Sequence, residues 1–267
     1  MQPSLTNHQW ARFHVEGYLP LGQLLTDDEL AALQQRIDDI MLGRADIDYA
    51  RLMMQLDSTG GQYDQAGPQT LGFKEPTLNY RKIEKLELDP LFERYLRHPL
   101  FKEICRRAYG RHVPVAVFRS MFMNKPAGRG TLLPWHQDRW AMFDRDPLVT
   151  VWTALDPATR ENGCVQIIPQ NHQFGVINPD HGSAFLTEEQ AAHHCPDAQA
   201  VHIELQPGEC MLLHNWLLHR SDKNHSNQSR RAFSVCYMDG RTQSTNPDFS
   251  DMPVIFDAEP TETHEPA

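Results

Sequence analysis

The sequence predicts a mainly β fold with flanking helices, built on an antiparallel barrel or sandwich of the jelly-roll kind. Between residues 148 and 237 the short apolar runs LVTVWTAL, CVQIIP, CMLLHNWL and RRAFSVCY are separated by turn formers, among them DPATRENG and Pro207-Gly208-Glu209. Helix-start signals sit in the N-terminal third. A chain of 267 residues with 40% hydrophobic content, free of internal repeats, can bury one substantial core.

Taken in order, Thr26-Asp27-Asp28-Glu29 is a capping box, and Leu30, Leu33, Ile37 and Met41 follow at helical spacing toward Gly43. Residues 57–70, DSTGGQYDQAGPQT, carry glycines and a proline without apolar periodicity and predict a mobile loop. Asp89-Pro90 opens a helix whose Leu91, Phe92, Tyr95 and Leu96 can pack on the barrel, and Gly110 ends the helix that follows His98-Pro99. These define a helical scaffold over about 1–112, a jelly-roll core over about 113–242 and a tail over about 243–267, within one domain. A second irregular stretch runs over about 175–196; with 57–70 it reads either as a loop pair that closes over a site and sets substrate choice or as a disordered surface excursion. The proline- and carboxylate-rich tail predicts a surface wrap or disorder.

Charge and cysteines narrow the function. A net charge of −10 without clustered Lys and Arg argues against a nucleic-acid partner. The five cysteines are scattered without C-x-x-C spacing, which predicts neither a disulfide framework nor a zinc knuckle. The first residues lack a basic stretch followed by an apolar one, and no eighteen-residue apolar run occurs, so the expectation is a cytoplasmic protein without a membrane partner.

The chemistry concentrates in two segments, PWHQDRW and LLHRSDKNHSNQSRR. Side chains at i and i+2 of a strand share a face, so His136 and Asp138 can grip one ion while Gln137 points elsewhere. His219, from a later strand, would complete a two-histidine, one-carboxylate face that leaves three of six positions on Fe(II) for substrate and oxygen. His14-Val15-Glu16 and His202-Ile203-Glu204 are similar triplets. In the second, Val201, Ile203 and Leu205 alternate as an apolar face, which turns His202 and Glu204 outward.

In their order along the chain, RFHVEGYLPLGQLLTDDELAAL, RKIEKLELDPLFERY, MFMNKPAG, PWHQD, VTVWTALDPATRENGCVQIIPQNHQFG, PGECMLLHNWLLHRS and RRAFSVCY resemble the phytanoyl-CoA dioxygenase family of Fe(II)/2-oxoglutarate oxygenases, over most of residues 10–240. The resemblance implies a double-stranded β-helix holding iron through His136, Asp138 and His219. His214 is the rival for the distal position, but the family's ligand precedes a serine by two residues, which fits His219 and Ser221. His214 and the loop residue His225 are then structural.

The resemblance also implies 2-oxoglutarate as co-substrate, its distal carboxylate met by an arginine eleven residues after the distal histidine, which selects Arg230. A guanidinium fork suits that task because it makes two charge-assisted bonds to a carboxylate. By alternation Arg231 faces the opposite way and covers the sheet. Ser221, Lys82, Met121 and Trp152 match family positions that line the co-substrate pocket; without the resemblance the last three read as a solvated lysine, a core methionine and a buried tryptophan. The implied reaction hydroxylates an unactivated C–H bond of a small organic substrate with O₂, releasing succinate and CO₂. Halogenating relatives have a small residue in place of Asp138, so its presence favours hydroxylation or a related oxidation. The family name suggests acyl-CoA, yet Arg106-Arg107 and Arg111-His112, the available basic pairs, read as solvated helix faces. Two alternatives remain at this stage: a non-oxidative metal-dependent isomerase or hydrolase on a cupin-like barrel, and a non-catalytic small-molecule-binding member.

Overall fold

The computed structural model describes residues 4–58, 60–182, 184–250 and 252–260. Each helix begins where its local chemistry predicts. Thr26 and Glu29 reciprocally cap α2 (Asp27–Met41), Asp89 caps α3 (Pro90–Leu96) with Pro90 in its first turn, and α4 (Pro99–Tyr109) stops at Gly110. Two helices go beyond the sequence expectation: α1 (Asn7–Glu16), capped by Thr6 and Gln9, and α5 (Glu188–His194), capped by Thr187 and Gln190. Neither buries an apolar stripe. Only Phe13 of α1 and no residue of α5 is buried, so the periodic signal is weak. The stretch 175–196 is therefore not irregular throughout.

Eight strands form the double-stranded β-helix. They are β5 (Val115–Lys125), β6 (Leu133–His136), β7 (Val149–Ala154), β8 (Val165–Ile167), β9 (Val201–Ile203), β10 (Glu209–His214), β11 (His219–Ser221) and β12 (Arg230–Asp239). The order β10-β7-β12-β5 lies in one sheet and β6-β11-β8-β9 in the other, with every pairing antiparallel. The chain thus switches sheets repeatedly, and residues distant in sequence come to face one another between the layers.

The N-terminal third is more than a helical scaffold. β1 (Tyr18–Gln23) pairs with β10, β4 (Tyr80–Glu84) pairs with β5, and β2 (Met53–Leu56) and β3 (Thr70–Leu71) extend that edge. The larger sheet therefore has nine strands, counting β13 (Val254–Phe256), which pairs with β5. β13 also corrects the expectation for the tail: Ile255 and Phe256 are buried, so this part of it is integral to the sheet. Residues 261–267, which that expectation included, lie outside the described residues.

Every residue of β7 is buried, because helices cover one face of the large sheet and the small sheet covers the other. On the helix side, Phe92 packs against Phe233 at 4.8 Å between ring centroids, the Tyr95 hydroxyl lies 2.7 Å from Thr153 Oγ1, and the Tyr237 hydroxyl donates to the Leu96 carbonyl at 2.6 Å. Burying each such aromatic contributes about 1.5–3 kcal/mol. That core holds the large sheet rigid behind the cavity that opens between the two layers.

Candidate metal and co-substrate site

His136 ends β6 and His219 begins β11, and the two are direct cross-strand partners with ring centroids 4.1 Å apart. Asp138 joins them differently from the sequence expectation. The strand stops at His136, so strand alternation does not orient Asp138. Instead the buried side chain of Gln137 donates through Nε2 to the carbonyls of Gly175 (2.8 Å) and Trp216 (2.6 Å) and accepts from the Ile177 amide (2.8 Å). The Asp138 amide donates to the Asn215 carbonyl at 2.7 Å. The turn so pinned sets Asp138 Oδ1 at 3.9 Å from His136 Nε2 and Oδ2 at 3.7 Å from His219 Nε2. All three ligand atoms lie within 4.8 Å of one another, close enough for one ion to take all three.

The protonation states suit a metal. His136 Nδ1 lies 2.8 Å from the Pro134 carbonyl and His219 Nδ1 lies 2.9 Å from the Leu217 carbonyl. A carbonyl only accepts, so each Nδ1 carries the proton and each Nε2 presents a lone pair toward Asp138. Burial and the neighbouring His219 press the His136 pKa down to about 3, against the attraction of Asp138, which keeps the imidazole neutral at pH 7.

The cluster stands in the wall of a cavity of about 180 Å³. Arg230, Ser221, Lys82, Met121 and Trp152 all line it, so the five positions selected for the co-substrate come together with the three histidine and aspartate positions. Arg230 is the decisive one. Its side chain is buried, yet Nε and Nη1 have no hydrogen-bond partner among the described residues, and its guanidinium lies 5.5 Å from the Trp152 ring centroid. Trp152 Nε1 is likewise buried and unpartnered. Burial lowers the Arg230 pKa to about 10, partly offset by Cys164 and Asp156, so it remains a cation. Buried charged donors left unpaired are strongly unfavourable, and an anionic ligand resolves that cost. A dicarboxylate fits this donor set.

Arg231 does the opposite. It makes a bidentate pair with Asp156 (Nε to Oδ2 and Nη2 to Oδ1, each 2.8 Å) and a third bond to Asp38 at 2.5 Å, covering the sheet as alternation predicts. Lys82 lies 3.4 Å from Glu84, and burial holds its pKa down at about 8 against the pull of that carboxylate. His214 stands outside the cluster, its Nδ1 accepting from the Trp216 amide and its ring 4.8 Å from His172. The His225 amide, between β11 and β12, donates to the Glu161 carbonyl of the loop between β7 and β8. In β9, Ile203 is buried and Glu204 exposed as expected, whereas Val201 is exposed. Arg106 and Arg111 pair with Glu259, and Arg107 with Glu103, so the arginines of the basic pairs weighed for an acyl-CoA are occupied by carboxylates.

Several cavity residues escaped sequence reasoning. Lys125, buried and cross-strand from Arg230, donates to the Thr131 carbonyl at 2.5 Å; burial and the Arg230 charge hold its pKa well below the ordinary lysine range. The signal was available, because Arg119, Met121, Met123 and Lys125 alternate along one face of β5. The two long loops also meet here. Phe185 stacks on His136 (4.8 Å, 13° between planes) and touches Tyr63 from 57–70 at 5.1 Å. Thr59 and Ser183, within those loops, lie outside the described residues. No signal within either segment predicted this contact, which bridges 122 positions of sequence.

Known proteins place this geometry. The model of the phytanoyl-CoA dioxygenase (PhyH) family matches residues 13–232. A curated relative, phytanoyl-CoA dioxygenase of Arabidopsis thaliana, is 28% identical over 252 residues, covering 87% of this chain and 88% of its own. Among solved structures, EctD from S. alaskensis with bound Fe superposes with a TM-score of 0.70 at 20% identity, over 96% of this chain and 88% of that one. The non-heme alpha-ketoglutarate-dependent carbocyclase SnoK from nogalamycin biosynthesis gives 0.68 at 18% identity, over 97% and 94%. The latter two share the fold.

Proposed function

Because the chain belongs to the phytanoyl-CoA dioxygenase family, we propose that it is an Fe(II)- and 2-oxoglutarate-dependent dioxygenase that hydroxylates an unactivated C–H bond of a small organic substrate. The reaction consumes R–H, O₂ and 2-oxoglutarate and yields R–OH, succinate and CO₂. The observation that carries this reading is the unpaired, buried guanidinium of Arg230 in the same cavity as the His136, Asp138 and His219 cluster. A non-oxidative metalloenzyme would need some other anionic ligand to answer that guanidinium.

Ferrous iron bound at this centre would supply the activation of O₂, coupled to decarboxylation of the co-substrate. His136, Asp138 and His219 would hold it on one face and leave the opposite face open. Arg230 donates from Nε and Nη1 to the distal carboxylate of 2-oxoglutarate, assisted by Ser221, while Trp152, Met121 and Lys82 enclose the rest of the molecule. Gln137 keeps the ligand turn rigid, and Phe185 covers His136 against water, which matters wherever a reactive oxidant is generated. EctD, which shares the fold, has also been solved with 2-oxoglutarate and 5-hydroxyectoine.

The test is succinate formation, followed by NMR after O₂ is added to anaerobic protein loaded with Fe(II) and 2-oxoglutarate, together with direct measurement of 2-oxoglutarate binding. Wild type is expected to bind the co-substrate and form succinate; Asp138→Ala, with an unchanged melting temperature, is expected to form none. Failure of wild type both to bind and to turn over 2-oxoglutarate, or full activity in Asp138→Ala at normal iron content, would overturn the reading.

A further inference from the structure

The cavity has two cationic ends, and one co-substrate cannot occupy both. On the inward face of β5, Lys125 stands at the Arg230 end and Arg119 lies six residues away. At ~3.4 Å per residue that separates their Cα atoms by roughly 20 Å. The five-carbon chain of 2-oxoglutarate spans only about 5–6 Å between its carboxyl carbons. Anchored at Arg230, it leaves the Arg119 end unanswered.

That end holds a guanidinium whose one nearby carboxylate is shared. Glu84 is shared between Lys82 (3.4 Å) and Arg119 (3.7 Å). The longer of these is outside hydrogen-bond range, and Arg119 makes no side-chain hydrogen bond among the described residues, its Nε being buried and unpartnered. The guanidinium is held by aromatic faces instead, 5.0 Å from the Phe118 centroid and 4.7 Å from that of Trp140. The cavity arginine of β4, Arg81, belongs to the other end: with Lys82 opposite Met123 it stands opposite Asn124, next to Lys125, where it bonds the Gln55 side chain at 2.8 Å and lies over the Tyr63 ring at 4.9 Å.

Resting on the oxygenase reading, which supplies the co-substrate at the Arg230 end, we propose that the substrate is a small free acid, its carboxylate or phosphate received by Arg119. Its hydrocarbon portion lies against the Trp140, Tyr63 and Phe185 rings of the same cavity. Trp140 follows Asp138 by two residues, so this acid sits inside the reaction chamber. A substrate whose only charges trail outside it would leave Arg119 unused.

The probes are hexanoate, hexyl phosphate, hexan-1-ol and hexanamide, titrated by ligand-observed NMR into protein loaded with Zn(II), which does not turn over, and saturated with 2-oxoglutarate. The acids are expected to bind at least about tenfold tighter than the alcohol or amide, the worth of one charge-assisted pair. Arg119→Gln should cut that preference below about threefold, and Arg119→Lys should restore part of it. The ratio of hexanoate to hexyl phosphate identifies the oxyanion. Equal binding of acid and alcohol by wild type, or an undiminished preference in folded Arg119→Gln, would overturn the proposal. The titration is repeated with Arg230→Gln and no 2-oxoglutarate, so the acid preference can fail while the co-substrate reading stands, and survive if that reading falls.

Discussion

Arg230 and Arg231 are adjacent in one strand, yet one presents an unpaired guanidinium to the cavity and the other is locked by Asp156 and Asp38 on the opposite face. The pleat alone separates these fates, and it makes their substitutions distinguishable. Arg230→Ala is expected to raise the half-saturating 2-oxoglutarate concentration by about tenfold or more, through loss of charge-assisted bonds worth ~1.5–3 kcal/mol each, with little loss of stability. Arg231→Ala should leave that concentration within about twofold but lower stability by about 2 kcal/mol, because Asp156 loses its bidentate partner. Calorimetric titration of 2-oxoglutarate and denaturant melts of both variants check this. Equal effects on binding would mean that the wrong arginine is the anchor.

Gln137 touches neither metal nor co-substrate, yet its three side-chain bonds pin the turn that carries Asp138. Gln137→Ala should lower stability by about 3 kcal/mol and weaken metal binding roughly tenfold, since two carbonyls and one amide lose their partner. Urea denaturation and competition with a chelator measure the two losses. Wild-type metal affinity in a destabilised variant would show that Asp138 is placed by its own backbone contact to Asn215.

Lys82 predicts a pH dependence of stability. Burial lowers its pKa from the ordinary 10.5 to about 8, with Glu84 opposing the shift and Arg119 and Arg81 adding to it. Between those two values the unfolded chain holds a proton that the folded protein has released, so this group makes stability rise with pH across that window. Below about pH 8 the buried charge is a cost. Lys82→Met is therefore expected to be more stable than wild type at pH 7, by about 1–2 kcal/mol, with the advantage vanishing toward pH 10.5. Paired melting curves from pH 6 to 10 test the difference between the two proteins, which removes the titration of buried tyrosines and cysteines common to both. A constant difference across the range would contradict it.

Phe185 stacks on His136 and touches Tyr63, so the two long loops seal one side of the metal cluster through a single ring. Phe185→Ala should let water and O₂ reach the centre and raise substrate-independent succinate formation by about two- to fivefold. Tyr63→Ala should act in the same direction but less, because it reaches His136 only through Phe185. Succinate quantified without added substrate, normalised to bound iron, provides the measurement. A fall in this background rate would assign Phe185 to positioning His136.

The sequence by itself determined the ingredients whose signals are local. The capping boxes and Asp-Pro and His-Pro starts located α2, α3 and α4, because a helix terminus is decided by bonds spanning three or four residues. The spacing of His136, Asp138, His219, Ser221 and Arg230 carried the family resemblance, and strand alternation sorted Arg230 from Arg231. Tertiary structure alone decided how these parts meet. Asp138 faces the histidines through the bonds of Gln137 to segments about forty and eighty residues away, beyond the end of the strand that alternation assumed. The tail completes the large sheet at β13 because β5 offers it an edge, and Phe185 reaches Tyr63 because the sheets carry both loops to one mouth. Local propensity acts over a few bonds, whereas sheet order and register set contacts between distant strands, and these brought two histidines 83 positions apart to face each other as cross-strand partners.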